Sequence, residues 1–79
     1  MSNLERYNGI FKSVFRVNDD ALNGNMRAES MKQWDSIAHL TLVTEIEDAF
    51  DVMFDPSDIL DLRSYEAGKT VLAKYGVHI

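Results

Sequence analysis

The stretch Trp34-Asp35-Ser36-Ile37-Ala38-His39-Leu40-Thr41-Leu42-Val43-Thr44-Glu45-Ile46-Glu47-Asp48-Ala49-Phe50 decides the fold of this 79-residue chain. At about 100° per residue it reads as one helix with two faces. Leu42, Val43, Ile46, Ala49 and Phe50 gather on one side as an ordinary core stripe. Ser36, Ile37, Leu40, Thr44, Glu47 and Asp48 fall on the other. That second face should meet water, yet its first turns carry Ile37 and Leu40, and acids follow. A serine, two hydrophobes and then acids along one exposed stripe describe a docking face that begins where the helix begins. Asp35 or Ser36 can act as the N-cap. Trp34, just before it, can pack back on the first turns as a hydrophobic staple.

Upstream, Ser2-Asn3-Leu4-Glu5 fits a capping box. Leu4, Tyr7, Ile10, Phe11, Val14 and Phe15 then recur at helical spacing, which predicts a helix over about residues 3–16. Gly9 weakens it by up to about 1 kcal/mol relative to alanine. Residues 18–33 have no period and are rich in turn formers such as Asn18-Asp19-Asp20 and Asn23-Gly24-Asn25. Loops of this length often serve function. Leu22 and Met26 can pin this one to the core, and it has room for a short helical turn.

The central helix is expected over about 36–51. Downstream, Asp55-Pro56 marks a new start, with aspartate at the cap and proline at the first helical position. A short helix over 56–61 should turn Ile59 and Leu60 inward. Ser64 can cap a last helix over about 65–75 with Val71, Leu72 and Tyr75 inward. Gly68 falls on the same side, where two backbones could approach closely, and Gly76 suits the C-terminus. No strand pattern competes. The expected fold is all-α and a single domain over 1–79: a small, mostly antiparallel four-helix bundle with three major helices, one short helix and a long first loop.

A chain this short has little room for a deep enclosed pocket, so an enzyme with a buried active site is not expected, and no catalytic residue is assigned. The 46% hydrophobic and 27% charged content fits a soluble globular domain. No apolar run approaches the roughly 20 residues needed to span a bilayer. The first residues lack the basic-then-apolar pattern of a secretory leader. The expectation is a cytoplasmic monomer that does not insert in membranes. With no cysteine, any thiol chemistry must come from a cofactor.

The net charge of −5 is unevenly spread. Residues 35–61 hold Asp35, Glu45, Glu47, Asp48, Asp51, Asp55, Asp58 and Asp61 with no lysine or arginine, while the remainder carries +3. Such a chain repels nucleic acid and anionic membranes. It attracts partners with basic patches and speeds their encounter.

Asp35-Ser36-Ile37 at the start of the second helix resembles the Asp-Ser-Leu signature of acyl carrier proteins. The resemblance extends over nearly the whole chain: first helix, long loop, serine, acidic second helix, short third helix, closing helix. Trp34 stands where fatty-acid-synthesis carriers have a small residue, and Ile37 replaces the usual leucine. Trp-Asp-Ser, then a hydrophobe and His39-Leu40, is similar to stand-alone carriers of specialised pathways. The Gly-Gly-His-Ser pattern of peptidyl carriers is absent. Thr41 and Thr44 lie where the family often has an acid and a larger apolar residue, which bears on partner preference.

The resemblance implies that a phosphopantetheinyl transferase attaches 4′-phosphopantetheine from coenzyme A to Ser36, with Mg²⁺ in the transferase. The arm's thiol then carries acyl intermediates as thioesters to partner enzymes of fatty acid, polyketide or other specialised pathways. Asp35 is implied in recognition by the transferase. Ile37, Leu40, Thr41, Thr44, Glu47 and Asp48 form the implied partner face, the acids meeting basic patches on acyl-loading and acyl-transferring enzymes. A helix N-terminus favours an attached phosphate physically.

The same residues admit other readings. Ser36 could be a mere cap, as Ser2 and Ser64 are expected to be. Asp35, Ser36 and His39 do not make a hydrolase, since His39 projects about 60° from Ser36 toward the core and no third group is indicated. His39 reads instead as a packing residue under Trp34, and His78 as a loose tail residue. Asp51, Met53 and Asp55 do not make a calcium loop: Pro56 occupies the place of its glycine, Arg63 lies beyond where a closing glutamate is needed, and no metal site is assigned. Trp34, Met31 and Met53 read as core or loop anchors rather than a ligand box. The alternatives to the carrier reading are an aminoacyl or peptidyl-type carrier and a cofactor-free helical interaction module.

Overall fold

The computed structural model describes every residue, Met1–Ile79. Four helices follow one another: α1 Asn3–Phe15, α2 Ser36–Phe50, α3 Pro56–Asp61 and α4 Tyr65–Ala73. There is no strand. α1 packs on α2, and α3 on α4.

Local chemistry sets the helix ends. The Ser2 hydroxyl accepts from the Glu5 amide while the Glu5 carboxylate accepts from the Ser2 amide, so the expected capping box closes. Ser64 accepts from the Ala67 amide and caps α4. α1 and α2 both stop on a non-glycine residue in the left-handed region, Arg16 and Asp51. At each end the next amide reaches back five residues, Val17 to Lys12 and Val52 to Glu47, which satisfies an orphan carbonyl. The last turn closes in the same way through Gly76, at φ 81°, with Val77 bonded to the Leu72 carbonyl at 3.1 Å.

The core begins on α1, where Tyr7, Phe11 and Phe15 at i, i+4, i+8 are buried. Leu4, on the same stripe in the first turn, is 41% exposed. The three α1 rings join Trp34 and Tyr65 in one aromatic cluster: Phe15 to Trp34 at 4.7 Å, Phe11 to Tyr65 at 5.3 Å, Phe11 to Trp34 at 5.9 Å between centroids. Such tilted and edge contacts suit aromatic pairs. Leu42, Val43 and Ile46 of α2 complete this core with Val71 and Leu72 of α4.

The long loop has local structure of its own. It makes two 3-10 turns, Asp19–Ala21 and Ala28–Ser30, and buries Met26 and Ala28. Leu22 packs on the core from part-exposure, as expected. The loop is stitched to the α3–α4 junction by Ala28 N–H on the Arg63 carbonyl at 2.8 Å and Tyr65 N–H on the Met26 carbonyl at 3.0 Å.

Three expectations for the C-terminal half need correction. Leu60 is 71% exposed rather than inward. The inner face of α3 is Asp58 and Ile59, continued by Leu62 just past its end, and Leu60 lies on the opposite side, about 200° from Asp58 around the helix. The buried carboxylate is tolerated because Tyr75 donates to it and Lys74 pairs with it. Asp55 is the N-cap residue of α3, but its side chain makes no cap bond; its amide instead donates to the Tyr75 hydroxyl at 3.0 Å. Gly68 makes room not for a backbone but for the Tyr7 hydroxyl.

Candidate functional site

Ser36 is the first residue of α2 and is exposed. Asp35, in extended conformation, takes the cap: its Oδ1 accepts the Ala38 amide at 2.8 Å, and its carbonyl accepts the His39 amide at 2.9 Å. The Ser36 hydroxyl is thereby released from the capping duty that Ser2 and Ser64 perform. It projects from the helix end that carries a partial positive charge.

Trp34 holds this end of α2 in place. Its ring is buried against Phe11 and Phe15, and it stacks on His39 at 6.3 Å. The two are the positions before the cap and four into the helix, so the expected staple forms, with a hydrogen bond added between the rings. His39 also contacts the Ile59 carbonyl at 2.8 Å, which ties α2 to α3. It is a packing residue, as its position on the helical wheel indicates.

Beside Ser36 lies the largest cleft of the molecule, about 540 Å³. Ser36, His39 and Leu40 line it from α2; Ile59, Leu60 and Arg63 line it from α3 and the turn after it. Around it the surface is unusually apolar, with Ile37 78% and Leu40 61% exposed. Together with Leu60 they flank the serine. Residues 35–61 hold no lysine or arginine, and among the lining residues Arg63 alone is a lysine or arginine.

The other face residues separate into two kinds. Thr44 and Asp48 are exposed, and so is Thr41, whose hydroxyl donates to the Ile37 carbonyl at 3.0 Å. Glu47 is half-buried, and its Oε2 accepts the Phe54 amide at 2.9 Å. It is therefore engaged in holding the turn after α2. Of the eight acids in 35–61, Asp58 is buried, Glu47 is half-buried and the remaining six face water.

Sequence reasoning missed the cluster at the start of α3. Asp58 is held below the usual carboxylate range, first by its hydrogen bond with Lys74 and then by that with Tyr75. Their own bonds with Asp58 raise the Lys74 ammonium and the Tyr75 phenol in turn. These contacts join α3 to the end of α4, and their role is structural. Leu60 and Arg63 were also missed as lining residues. For Arg63 the available signal was that it ends the base-free run.

No helix is long and apolar enough to cross a membrane. Comparison with family models, with curated proteins and with solved structures finds no match to the chain.

Proposed function

We propose that this chain is an acyl carrier protein, on which Ser36 bears a 4′-phosphopantetheine arm. The observation that carries the reading is that Ser36 is exposed at the start of α2 with its capping duty taken by Asp35. Its setting supports it further, on the rim of a cleft and flanked by exposed Ile37 and Leu40. A serine kept only as a cap would be spending its hydroxyl on an amide, and this one is not needed there.

In the attachment step a phosphopantetheinyl transferase would bind Ser36 and Asp35. The Ser36 Oγ forms the new bond to phosphorus, the pyrophosphate bond of coenzyme A breaks, adenosine bisphosphate leaves, and the hydroxyl proton passes to a base of the transferase. The arm's thiol then supplies the thioester on which acyl groups travel, in keeping with a chain that has no cysteine. The chain itself performs no catalysis in this reading and works in the cytoplasm. Ile37 and Leu40 give a partner an apolar footing near the arm's root, while Asp48 and Glu45 meet its basic residues and speed encounter. Glu47 contributes field rather than contact, being bound to Phe54.

The exposed apolar residues around the cleft would equally serve a partner that needs no arm, which keeps a cofactor-free interaction module as the second reading. Intact mass decides. The purified chain is incubated with coenzyme A, Mg²⁺ and a broad-specificity transferase. One pantetheine adduct, absent in Ser36→Ala, is the expected result. An unmodified wild-type chain would sink the carrier reading and leave the module.

A further inference from the structure

Resting on that reading, we propose that Arg63 seats the phosphodiester of the arm and lays its root along the cleft between α2 and α3. A phosphodiester bonded to Ser36 places one full negative charge at the rim of this cleft. Two side chains that line it carry opposite charge, Asp35 and Arg63. Asp35 would repel the new anion, and its Oδ1 is already committed to the Ala38 amide. His39 also lines the cleft, but both its ring nitrogens are engaged, by the Trp34 indole and the Ile59 carbonyl; that leaves Arg63 to neutralise the anion, and a guanidinium can offer phosphate two parallel donors.

The root of Arg63 is fixed in space. Its amide donates to the Asp61 carbonyl at 2.8 Å, and its carbonyl accepts the Ala28 amide at 2.8 Å. The side chain is exposed. None of the ion pairs in the molecule uses it. Its nearest acid in sequence, Asp61, is exposed and directs no carboxylate oxygen within pairing distance of it.

The remaining walls suit the pantetheine portion of the arm. Leu40, Ile59 and Leu60 offer apolar surface to its methyls, and a volume of about 540 Å³ lies in the range of small-molecule sites. On the inner side of the cleft stand His39, which ties α2 to the Ile59 carbonyl, and the buried Trp34 ring. The arm's root is thus laid on the surface, its direction set by Arg63.

The test uses the full chain, ¹⁵N-labelled, before and after complete loading, with mass confirming the adduct. The Arg63 side-chain Nε–H resonance and the Leu40, Ile59 and Leu60 amides are expected to shift on loading. Added salt should return the Arg63 signal toward its unloaded position, since exposed pairs are screened. In loaded Arg63→Gln, with its fold checked by circular dichroism, the shifts at Leu40, Ile59 and Leu60 should shrink by at least half. A fully loaded wild type whose Arg63 signal stays in place overturns the proposal while attachment at Ser36 stands. So does an Arg63→Gln variant with undiminished shifts. A chain that accepts no arm overturns both, and mass separates that case from the others.

Discussion

The indole Nε1–H of Trp34 donates to Nδ1 of His39 across 3.1 Å. With Nδ1 accepting, the ring proton sits on Nε2, which donates to the Ile59 carbonyl at 2.8 Å. The residue before the cap, the first turn of α2, and α3 become one bonded chain, and the serine is mounted on it. His39→Ala leaves a buried indole N–H without an acceptor. The expected cost is about 1–3 kcal/mol, read as a lowered urea midpoint, with faster amide exchange in α3. An unchanged midpoint and unchanged exchange would show that this bridge holds nothing.

Gly68 and Tyr7 make a second coupled pair. The Tyr7 hydroxyl, buried and donating to the Tyr65 carbonyl at 2.6 Å, occupies the space a Cβ on Gly68 would need. Alanine would improve helix propensity by up to about 1 kcal/mol, but the collision should win, for a net loss of about 1–3 kcal/mol. In a Tyr7→Phe background the obstructing oxygen is gone and the ring carbon left behind stands 3.1 Å from the added methyl. The same Gly68→Ala change should then cost clearly less. Additive costs in the double-mutant cycle would contradict this account.

The acidic face should divide by function. Asp48→Lys and Ile37→Ala sit on exposed positions, so stability should move by no more than about 0.5 kcal/mol. Both should slow the transferase, the first chiefly through encounter rate and in a salt-dependent way. Glu47→Lys should instead lower stability by removing the acceptor of the Phe54 amide. Paired thermal unfolding and transferase kinetics on the three variants check the division. Equal losses of stability in all three would erase it.

Stability should fall in acid partly through Asp58. Its folded carboxyl lies below the usual value of 3.8, first because of Lys74 and then Tyr75. A lowered folded value means that the contribution is fully present above the unfolded value and disappears as pH falls through the folded one. Urea midpoints should therefore hold down to about pH 4 and drop below it. Glu5, lowered by its bonds with Ser2, acts in the same window, so the difference between wild type and Asp58→Asn isolates Asp58. The variant should start lower at neutral pH and fall less steeply in acid. Parallel curves would refute the assignment.

Helix order, helix ends and the exposed serine were legible in the chain because they rest on short-range chemistry. Ser2 and Glu5, Ser64 and Ala67, Trp34 and His39 are three to five residues apart, and local geometry brings such residues together whatever the rest does. The core stripes on α1 and α2 came from period alone. α3 could not be read this way. It has fewer than two turns, so its inward face is set by what it meets: Lys74 and Tyr75 neutralise Asp58 and turn it in, which turns Leu60 out. The use of Gly68 depended on a tyrosine 61 positions away. The cleft and its one arginine likewise appeared only when the Met26–Ala28 segment of the loop and the α3–α4 turn were stitched together. Period and capping fix which residues a helix offers, but which of them meet across elements is set by packing, and packing has no signature within a single stretch of chain.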